Sequence, residues 1–244
     1  MDRREFDKFA DEYSVLHSQN IAVIGELPDY FAEYKVRDIY NQMRATGDWR
    51  DDLRILDFGS GVGSSIPFYK QYFPSCHIVC ADVSRRSLNL AIGRFGELAS
   101  YVLFEGKTLP LKSGAVDMAF AACVFHHVPV SDHIALLREI RRVLSNNSGR
   151  LFLYEHNPLN PLTVHAVSNC VFDDNAVLIP SWKMRRQFQE AGYSDIAVRY
   201  RVFFPRSLAF LRFLEFRMWW LPLGAQYCVT GLASNTPKRC RARR

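Results

Sequence analysis

Three glycines stand at alternate positions, at Gly59, Gly61 and Gly63, directly after an apolar run that contains Asp57. Because glycine lacks a Cβ atom, its backbone can adopt positive φ and come close to a bound molecule. An amphipathic run follows, and the first turn of a helix offers unpaired N–H groups to a ligand. Residues 53–65 therefore predict a buried strand that turns tightly into a helix at a ligand site.

A second acidic residue, Asp82, ends the next apolar run, at 77–82. It lies roughly 20 residues beyond the glycines, the spacing at which a carboxylate can receive both hydroxyls of a ribose. A strand that ends in an acid at this distance indicates a nucleotide-like ligand.

Residues that could contact a ligand also follow three later apolar runs. They are Glu105, Gly106 and Lys107 after the third run, Cys123, His126 and His127 after the fourth, and His156 after the fifth. Because the carboxyl ends of parallel strands meet at one edge of a sheet, we expect these residues at the same crevice as the glycines.

Taken in order, these stretches resemble the class I S-adenosylmethionine-dependent methyltransferases of the small-molecule type, whose first motif is Asp-x-Gly-x-Gly-x-Gly. The resemblance covers about residues 50–200. It implies S-adenosylmethionine as the cofactor and no metal. Methyl transfer would then depend mainly on positioning, because the cofactor supplies the reactivity.

The resemblance also implies a set of cofactor-binding residues. The set comprises Asp57, Gly59, Ser60, Gly61, Gly63, Asp82, Val83, Glu105, Gly106, Lys107 and Cys123. Within it, Asp57 would help to hold the amino acid end, Asp82 would receive the ribose hydroxyls, and Glu105 would accept from the adenine amino group. Cys123 would face the transferred methyl group.

Three histidines, His126, His127 and His156, are the candidates for a general base. Imidazole titrates near neutral pH, so one of them could deprotonate a hydroxyl acceptor. The alternative for each is a structural role, in which the ring packs on the cofactor or caps a turn.

The surrounding sequence alternates apolar runs with amphipathic segments, which predicts an α/β fold with a doubly wound, mostly parallel sheet. The resemblance adds that this Rossmann-like sheet has seven strands, with the last strand reversed. We expect an N-terminal helical cap at 1–50, the methyltransferase domain at 51–233 and a basic tail at 234–244. The aperiodic stretch 157–180 predicts a lid or substrate loop.

The composition is that of a globular protein, since 48% of the 244 residues are hydrophobic and 23% are charged. The six cysteines show no Cys-x-x-Cys spacing, which favours free thiols in a reducing compartment. No apolar run follows the first few residues, so we expect no signal peptide and a cytoplasmic location.

The net charge of +6 is concentrated at the C-terminal end, where the residues from Arg201 onward include nine basic residues and one acidic residue. The segment 205–220 predicts an aromatic-rich helix. Arg212, Glu215 and Arg217 interrupt its apolar run, which argues against a membrane span. The segment could lie peripherally against an anionic membrane. Packing of its aromatic rings beneath the sheet is the alternative.

We therefore expect a methyltransferase that acts on a small molecule at a hydroxyl oxygen. Two alternatives stay open, namely a lipid or lipid-linked acceptor at a membrane surface, and a scaffold that binds the cofactor without catalysis. A nicotinamide-dependent oxidoreductase is disfavoured because its fingerprint needs Gly or Ala as the third small residue, where this chain has Ser64.

Nucleic acid is not an expected partner. Methyltransferases of base amino groups resemble one another in an Asn/Asp-Pro-Pro-aromatic motif after the fourth strand, and residues 123–127 read Cys-Val-Phe-His-His instead. The sequence does not indicate an oligomeric state.

Overall fold

The computed structural model describes residues 28–104, 108–146, 148–170, 173 and 175–234. Within these ranges the chain alternates strands and helices, as the sequence pattern predicts. The strands are β1 (Arg54–Phe58), β2 (His77–Asp82), β3 (Ser100–Leu103), β4 (Met118–Ala122), β5 (Arg150–His156), β6 (Ser194–Arg201) and β7 (Gln226–Leu232). The α-helices are α1 (Pro28–Thr46), α2 (Ile66–Tyr72), α3 (Arg85–Phe95), α4 (His133–Val143), α5 (Pro161–Ser168) and α6 (Ser181–Glu190).

All seven strands form one sheet in the order β3-β2-β1-β4-β5-β7-β6. The pairs from β3 to β5 are parallel, whereas β7 runs antiparallel to both β5 and β6. The predicted doubly wound sheet with a reversed last strand is therefore confirmed. The strand order reverses between β1 and β4, and this reversal opens a crevice at their carboxyl ends.

Apolar side chains cover both faces of the sheet. One cluster joins α1 and α2 to the sheet, with Val36 and Ile39 of α1 and Tyr69 of α2 fully buried. The opposite cluster joins α4 and α6 to the other face through residues such as Leu137 and Phe188. Burial on both faces explains why the central strand β4 is almost continuously apolar.

Helix α1 is also attached to the sheet by a partly buried polar network. Asp38 Oδ2 accepts hydrogen bonds from Arg201 Nε at 2.8 Å and from the Tyr154 hydroxyl at 2.7 Å. This network fixes the described part of the predicted N-terminal cap over the carboxyl half of β5. The other predicted helix of the cap, around residues 6–13, lies outside the described residues.

Helix α6 begins at Ser181 with Pro180 as its N-cap, and the Ser181 hydroxyl bonds the Tyr200 hydroxyl at 2.8 Å. Two local details differ from the sequence pattern. The aperiodic stretch 157–180 contains helix α5, which Asn160 caps through its side chain. The aromatic-rich segment Arg206–Arg217 is a 3₁₀ helix with a kink at Leu208.

The five cysteines among the described residues are free thiols. Within the same ranges, no helix is both long enough and apolar enough to cross a bilayer.

Candidate functional site

The turn between β1 and α2 has the backbone conformation that its glycines permit. Gly59, Gly61 and Gly63 have φ values of +73°, +53° and +77°. The Gly59 N–H donates to the Ala81 carbonyl at 2.8 Å, which ties the turn to β2. The loop therefore lies at the crevice formed where the strand order reverses.

The three glycines differ in what surrounds them. A Cβ atom on Gly59 would lie 2.4 Å from Val124, and one on Gly63 would lie 2.9 Å from Ile66, so packing within the protein requires both glycines. A Cβ atom on Gly61 would meet nothing within 4 Å in the described part of the chain. Gly61 thus faces open space at the crevice, as a ligand cradle requires.

Asp82, at the end of β2, is held by two backbone donors. Its Oδ2 accepts from the Gly61 N–H and its Oδ1 from the Ser84 N–H, each at 2.8 Å. A carboxylate offers about four acceptor positions, a capacity that suits a pair of ligand hydroxyls. The bond to Gly61 also orients the glycine turn, a link that the sequence pattern does not show. Val83, which follows Asp82, is buried.

Asp57 and Ser60 present polar atoms that packing has removed from water. Burial raises the pKa of the Asp57 carboxyl to about 7, and the nearby charge of Asp82 adds to this rise. The Ser60 hydroxyl is buried and finds no hydrogen-bond partner within the described ranges. A ligand with an ammonium and hydroxyl groups, such as the amino acid and ribose portions of S-adenosylmethionine, fits these groups. Glu105, Gly106 and Lys107, predicted to contact the adenine, lie outside the described residues.

Polar residues from three segments meet across the crevice, after β4 and β5. His126 is buried, and hydrogen bonds join its Nδ1 to Glu155 Oε2 at 2.6 Å and its Nε2 to Asp173 Oδ1 at 3.2 Å. His127 Nε2 lies 3.4 Å from the same Asp173 oxygen. The His156 ring centroid lies 5.3 Å from that of His126. The three predicted histidines therefore form one cluster with two carboxylates.

The charges in this cluster determine which histidine can accept a proton. Burial by itself would lower the pKa of His126. The charge and hydrogen bonds of Glu155 and Asp173 outweigh this effect and raise the pKa of His126 well above its ordinary value. Burial, reinforced by the charge of His126, lowers the pKa values of His127 and His156 to about 4 each. Although burial acts in the opposite direction, His126 lowers the pKa of Asp173 to about 2. His127 and His156 are therefore neutral at physiological pH.

Cys123 lies beside this cluster at the end of β4. Its backbone has a φ of +57°, and Gln226 Nε2 donates to its sulfur at 3.7 Å. Burial raises the pKa of the Cys123 thiol, and the charge of Lys35 opposes this rise. Lys35 extends from α1, is 92% buried and pairs with no carboxylate among the described residues.

Sequence reasoning missed three members of this site. Glu155 precedes His156 directly, but nothing in its local pattern indicates that it turns inward to His126. Asp173 stands in an aperiodic acidic stretch, 47 residues from His126. Lys35 lies on a helix that comes before the glycine motif. None of these contacts is local in the chain, so periodicity could not reveal them.

Comparison with known proteins agrees with this geometry. A family model described as a methyltransferase domain matches residues 56–153, which span the glycine turn, both acids and the histidine pair. Residues 56–153 thus match a methyltransferase domain. This match confirms the resemblance to the class I S-adenosylmethionine-dependent methyltransferases that the sequence predicts.

Two similar human proteins are described as thiol S-methyltransferases. TMT1B is 25% identical to this chain over 157 residues, and TMT1A is 22% identical over 160 residues. These matches cover 62% and 63% of this chain. Each covers 59% of the relative, so the chain spans less than two thirds of their length.

Solved structures show the same fold along nearly the whole methyltransferase chain. An S-adenosylmethionine-dependent methyltransferase from Thermotoga maritima gives a TM-score of 0.64 at 18% identity and covers 95% of this chain and 99% of its own. Phosphoethanolamine N-methyltransferase 2 from Haemonchus contortus gives 0.63 at 16% identity, covering 96% of this chain and 60% of its own. These likenesses extend the fold assignment beyond residues 56–153.

Gly61→Ala should weaken cofactor binding without unfolding the protein. The new methyl group would enter the open space at the crevice, so we expect affinity for S-adenosylhomocysteine to fall at least about tenfold, or 1.4 kcal/mol. Gly47→Ala is the matched control, because Gly47 also has a positive φ of +74° and open surroundings but follows α1. Calorimetric titration should show parental affinity for the control. Equal affinity in both variants would place the cofactor elsewhere.

Asp57→Asn should stabilise the protein at pH 8. The pKa of Asp57 is about 7 in the folded protein and 3.8 in the unfolded chain, so between these pH values the folded protein retains a proton that the unfolded chain has lost. The free energy of unfolding therefore falls as the pH rises from about 4 to about 7. We expect the free energy of unfolding of the variant to exceed that of the parent by roughly 2–4 kcal/mol at pH 8. Near pH 4 the two values should be equal. Urea denaturation at both pH values measures this difference.

Asp117→Asn serves as the control, because this substitution should change the stability in the opposite direction. Burial would raise the pKa of Asp117, but its hydrogen bonds to Arg54 outweigh this effect and lower that pKa to about 2. Its stabilising contribution is therefore present above the unfolded pKa and is lost as the pH falls through about 2. Asp117→Asn should destabilise the protein at pH 8, and a change of the same sign in both variants would contradict the assignment.

Proposed function

We propose that this chain transfers a methyl group from S-adenosylmethionine to a small molecule whose attacking atom is a thiol sulfur. The observation that supports the cofactor part of the proposal is the space at Gly61, where a Cβ atom would meet nothing within 4 Å in the described part of the chain, beside the carboxylate of Asp82.

The residues on the β1 and β2 side would hold the cofactor. Asp57 would receive its ammonium group, the backbone at Gly61 would approach it closely, and Asp82 would accept from its ribose hydroxyls. When bound, the cofactor supplies an electrophilic methyl group. The protein then has to align the acceptor and exclude water, and such positioning can contribute roughly 7–11 kcal/mol to the rate.

His156 is the best-placed candidate to accept the proton of the acceptor. Both ring nitrogens of His126 are occupied by carboxylates, and His127 faces Asp173. His156 makes ring contacts with His126 but no hydrogen bond among the described residues. It is also uncharged at neutral pH, so its lone pair is available.

The weak basicity of His156 favours a thiol over a hydroxyl acceptor. Free thiols have pKa values near 8.5, and the pKa of His156 is about 4. Transfer of a proton from a thiol to His156 therefore costs roughly 6 kcal/mol. An aliphatic hydroxyl resembles water, whose pKa is about 15.7, so the corresponding transfer costs roughly 16 kcal/mol. The hydroxyl acceptor expected from the histidine pattern is therefore the less favourable alternative.

The human relatives support the same choice of acceptor atom. TMT1B and TMT1A are both described as thiol S-methyltransferases. A small acceptor suits a site in which Asp57, His126 and Glu155 are all buried.

A second candidate function is methylation at a membrane surface. Large apolar side chains are exposed on the 3₁₀ segment Arg206–Arg217, on the residues that follow it and on α5. They include Leu159, Leu162, Phe210, Phe213, Phe216, Trp219, Trp220 and Leu223. Asn160 Nδ2 donates to the Leu223 carbonyl at 2.7 Å, so α5 and this region are neighbours. Exposed apolar surface of this extent is typical of an interaction site.

The basic residues of this surface support an anionic bilayer as its partner. Arg206, Arg212 and Arg217 accompany the exposed rings, and Glu215 is buried, where it accepts from the Phe203 and Phe204 N–H groups. Basic and aromatic residues together favour the interface of anionic membranes. The acceptor would then be a lipid or a lipid-linked thiol or hydroxyl compound.

His156→Asn should slow methylation of small thiols with little change in cofactor affinity. We expect a loss of roughly 100-fold or more in kcat, the usual contribution of a general base. His165→Asn, a variant of an exposed histidine on α5, is the control and should keep parental activity. Transfer of radiolabelled methyl groups to matched thiol and hydroxyl compounds measures the activity of both variants. Faster methylation of hydroxyl compounds would contradict the proposal of a thiol acceptor. Cofactor binding without turnover on any acceptor would favour a scaffold that binds the cofactor without catalysis.

Phe213→Ser combined with Phe216→Ser should weaken sedimentation with anionic vesicles. Each ring contributes about 1.5–3 kcal/mol when buried, so loss of both should reduce binding more than tenfold. Leu98→Ser is the control, because Leu98 is exposed to a comparable degree outside this region. Parental binding by the double variant, or no preference of the parent for anionic over neutral lipid, would exclude the membrane contact.

A further inference from the structure

We propose that His126, His127 and Asp173 form a binding site for one divalent metal ion of the zinc type. Their ligand atoms lie within 4.8 Å of one another at the histidine side of the crevice. Two imidazole nitrogens and one carboxylate oxygen match the borderline donor preference of Zn²⁺. Three protein ligands leave the fourth tetrahedral position for a ligand from the pocket.

Two of the three separations agree with tetrahedral coordination. Bonds from zinc to nitrogen or oxygen are about 2.0–2.1 Å long, so adjacent ligand atoms in a tetrahedron lie about 3.3–3.4 Å apart. The Asp173 Oδ1 atom lies 3.2 Å from His126 Nε2 and 3.4 Å from His127 Nε2. The two imidazole nitrogens lie within 4.8 Å of each other, and an ion bound between them would draw them to the tetrahedral separation.

Glu155 supplies the support that metal-binding histidines usually have. Its Oε2 bonds His126 Nδ1 at 2.6 Å, which directs Nε2 toward Asp173. Its Oε1 accepts from the N–H groups of Val124 and Phe125, at 3.1 and 2.7 Å. A carboxylate that orients a histidine in this way is typical of metal sites, and it raises the basicity of the ligand.

The segment that carries Asp173 is attached to the histidine turn. The Val177 N–H donates to the His126 carbonyl at 2.9 Å, and the Ala176 N–H donates to the Asp173 carbonyl at 2.8 Å. The Tyr227 hydroxyl fixes the same segment through the Ile179 carbonyl at 2.7 Å. Backbone bonds thus preorganise the third ligand.

Charge also favours a cation at this position. The carboxylates of Glu155 and Asp173 both face His126, and they are 99% and 89% buried as side chains. A divalent ion would balance the two negative charges and replace the proton that links His126 Nε2 to Asp173. Binding should therefore release protons from the cluster.

If the acceptor is the thiol proposed above, its sulfur suits the fourth position. The ion would bind the acceptor as a thiolate, the form in which sulfur is both a metal ligand and a nucleophile. Its proton would pass to His156, whose ring lies against that of His126. This extension depends on the proposed function, whereas binding of the ion itself does not.

Metal binding can be measured with neither cofactor nor acceptor present. Full-length protein freed of metal by a chelator would be titrated with Co²⁺ and Zn²⁺, following visible absorption, heat and proton release. We expect one equivalent to bind with the absorption of a tetrahedral site and with release of protons. His127→Asn and Asp173→Asn should each weaken binding by more than the roughly 10–100-fold that loss of a supporting residue causes.

His165→Asn again serves as the control and should bind the metal as the parent does. Circular dichroism and urea denaturation would show that each variant is folded. Absence of stoichiometric binding by the folded parent would overturn the proposal, as would unchanged affinity in folded His127→Asn and Asp173→Asn. Methyl transfer that persists without metal would refute the thiolate extension and leave the methyltransferase assignment intact.

Discussion

The buried carboxylate of Glu155 determines the geometry of the acceptor side. A carboxylate removed from water is costly unless hydrogen bonds satisfy it, and Glu155 receives them from two backbone N–H groups and one imidazole. These bonds hold the end of β4 in the short 3₁₀ turn Phe125–His127. The same carboxylate keeps His126 charged, and that charge lowers the basicity of His127 and His156. One buried group thus decides which histidine is a cation and which can accept a proton.

On the cofactor side, too, a buried carboxylate orients a backbone turn, although fewer charges meet there. Asp82 orients the glycine turn through Gly61, while the packing of Val124 against Gly59 joins this turn to the histidine side. Both sides therefore depend on the reversal of strand order between β1 and β4. This reversal brings two loops together above the sheet, and the methyl group would be transferred between them.

Helix α1 closes the site from a third direction. Its Asp38 binds Arg201 and Tyr154, and its Lys35 brings a buried positive charge close to Cys123. Tyr34 of the same helix donates to Glu215 at 3.2 Å, so α1 also contacts the base of the exposed aromatic region. One helix therefore contacts both the residues around Cys123 and the exposed aromatic region.

The sequence by itself determined the sheet, the glycine turn and the positions of Asp57, Asp82 and the histidines, because strand and helix periodicity and the spacing of a motif are local properties. Tertiary structure alone decided the roles within the cluster. His126, His127 and His156 look alike as residues, but Asp173 and Glu155 reach His126 from 47 and 29 positions away. Whether an imidazole is charged depends on burial and on neighbours brought together by folding, and neither is encoded in the residues beside it.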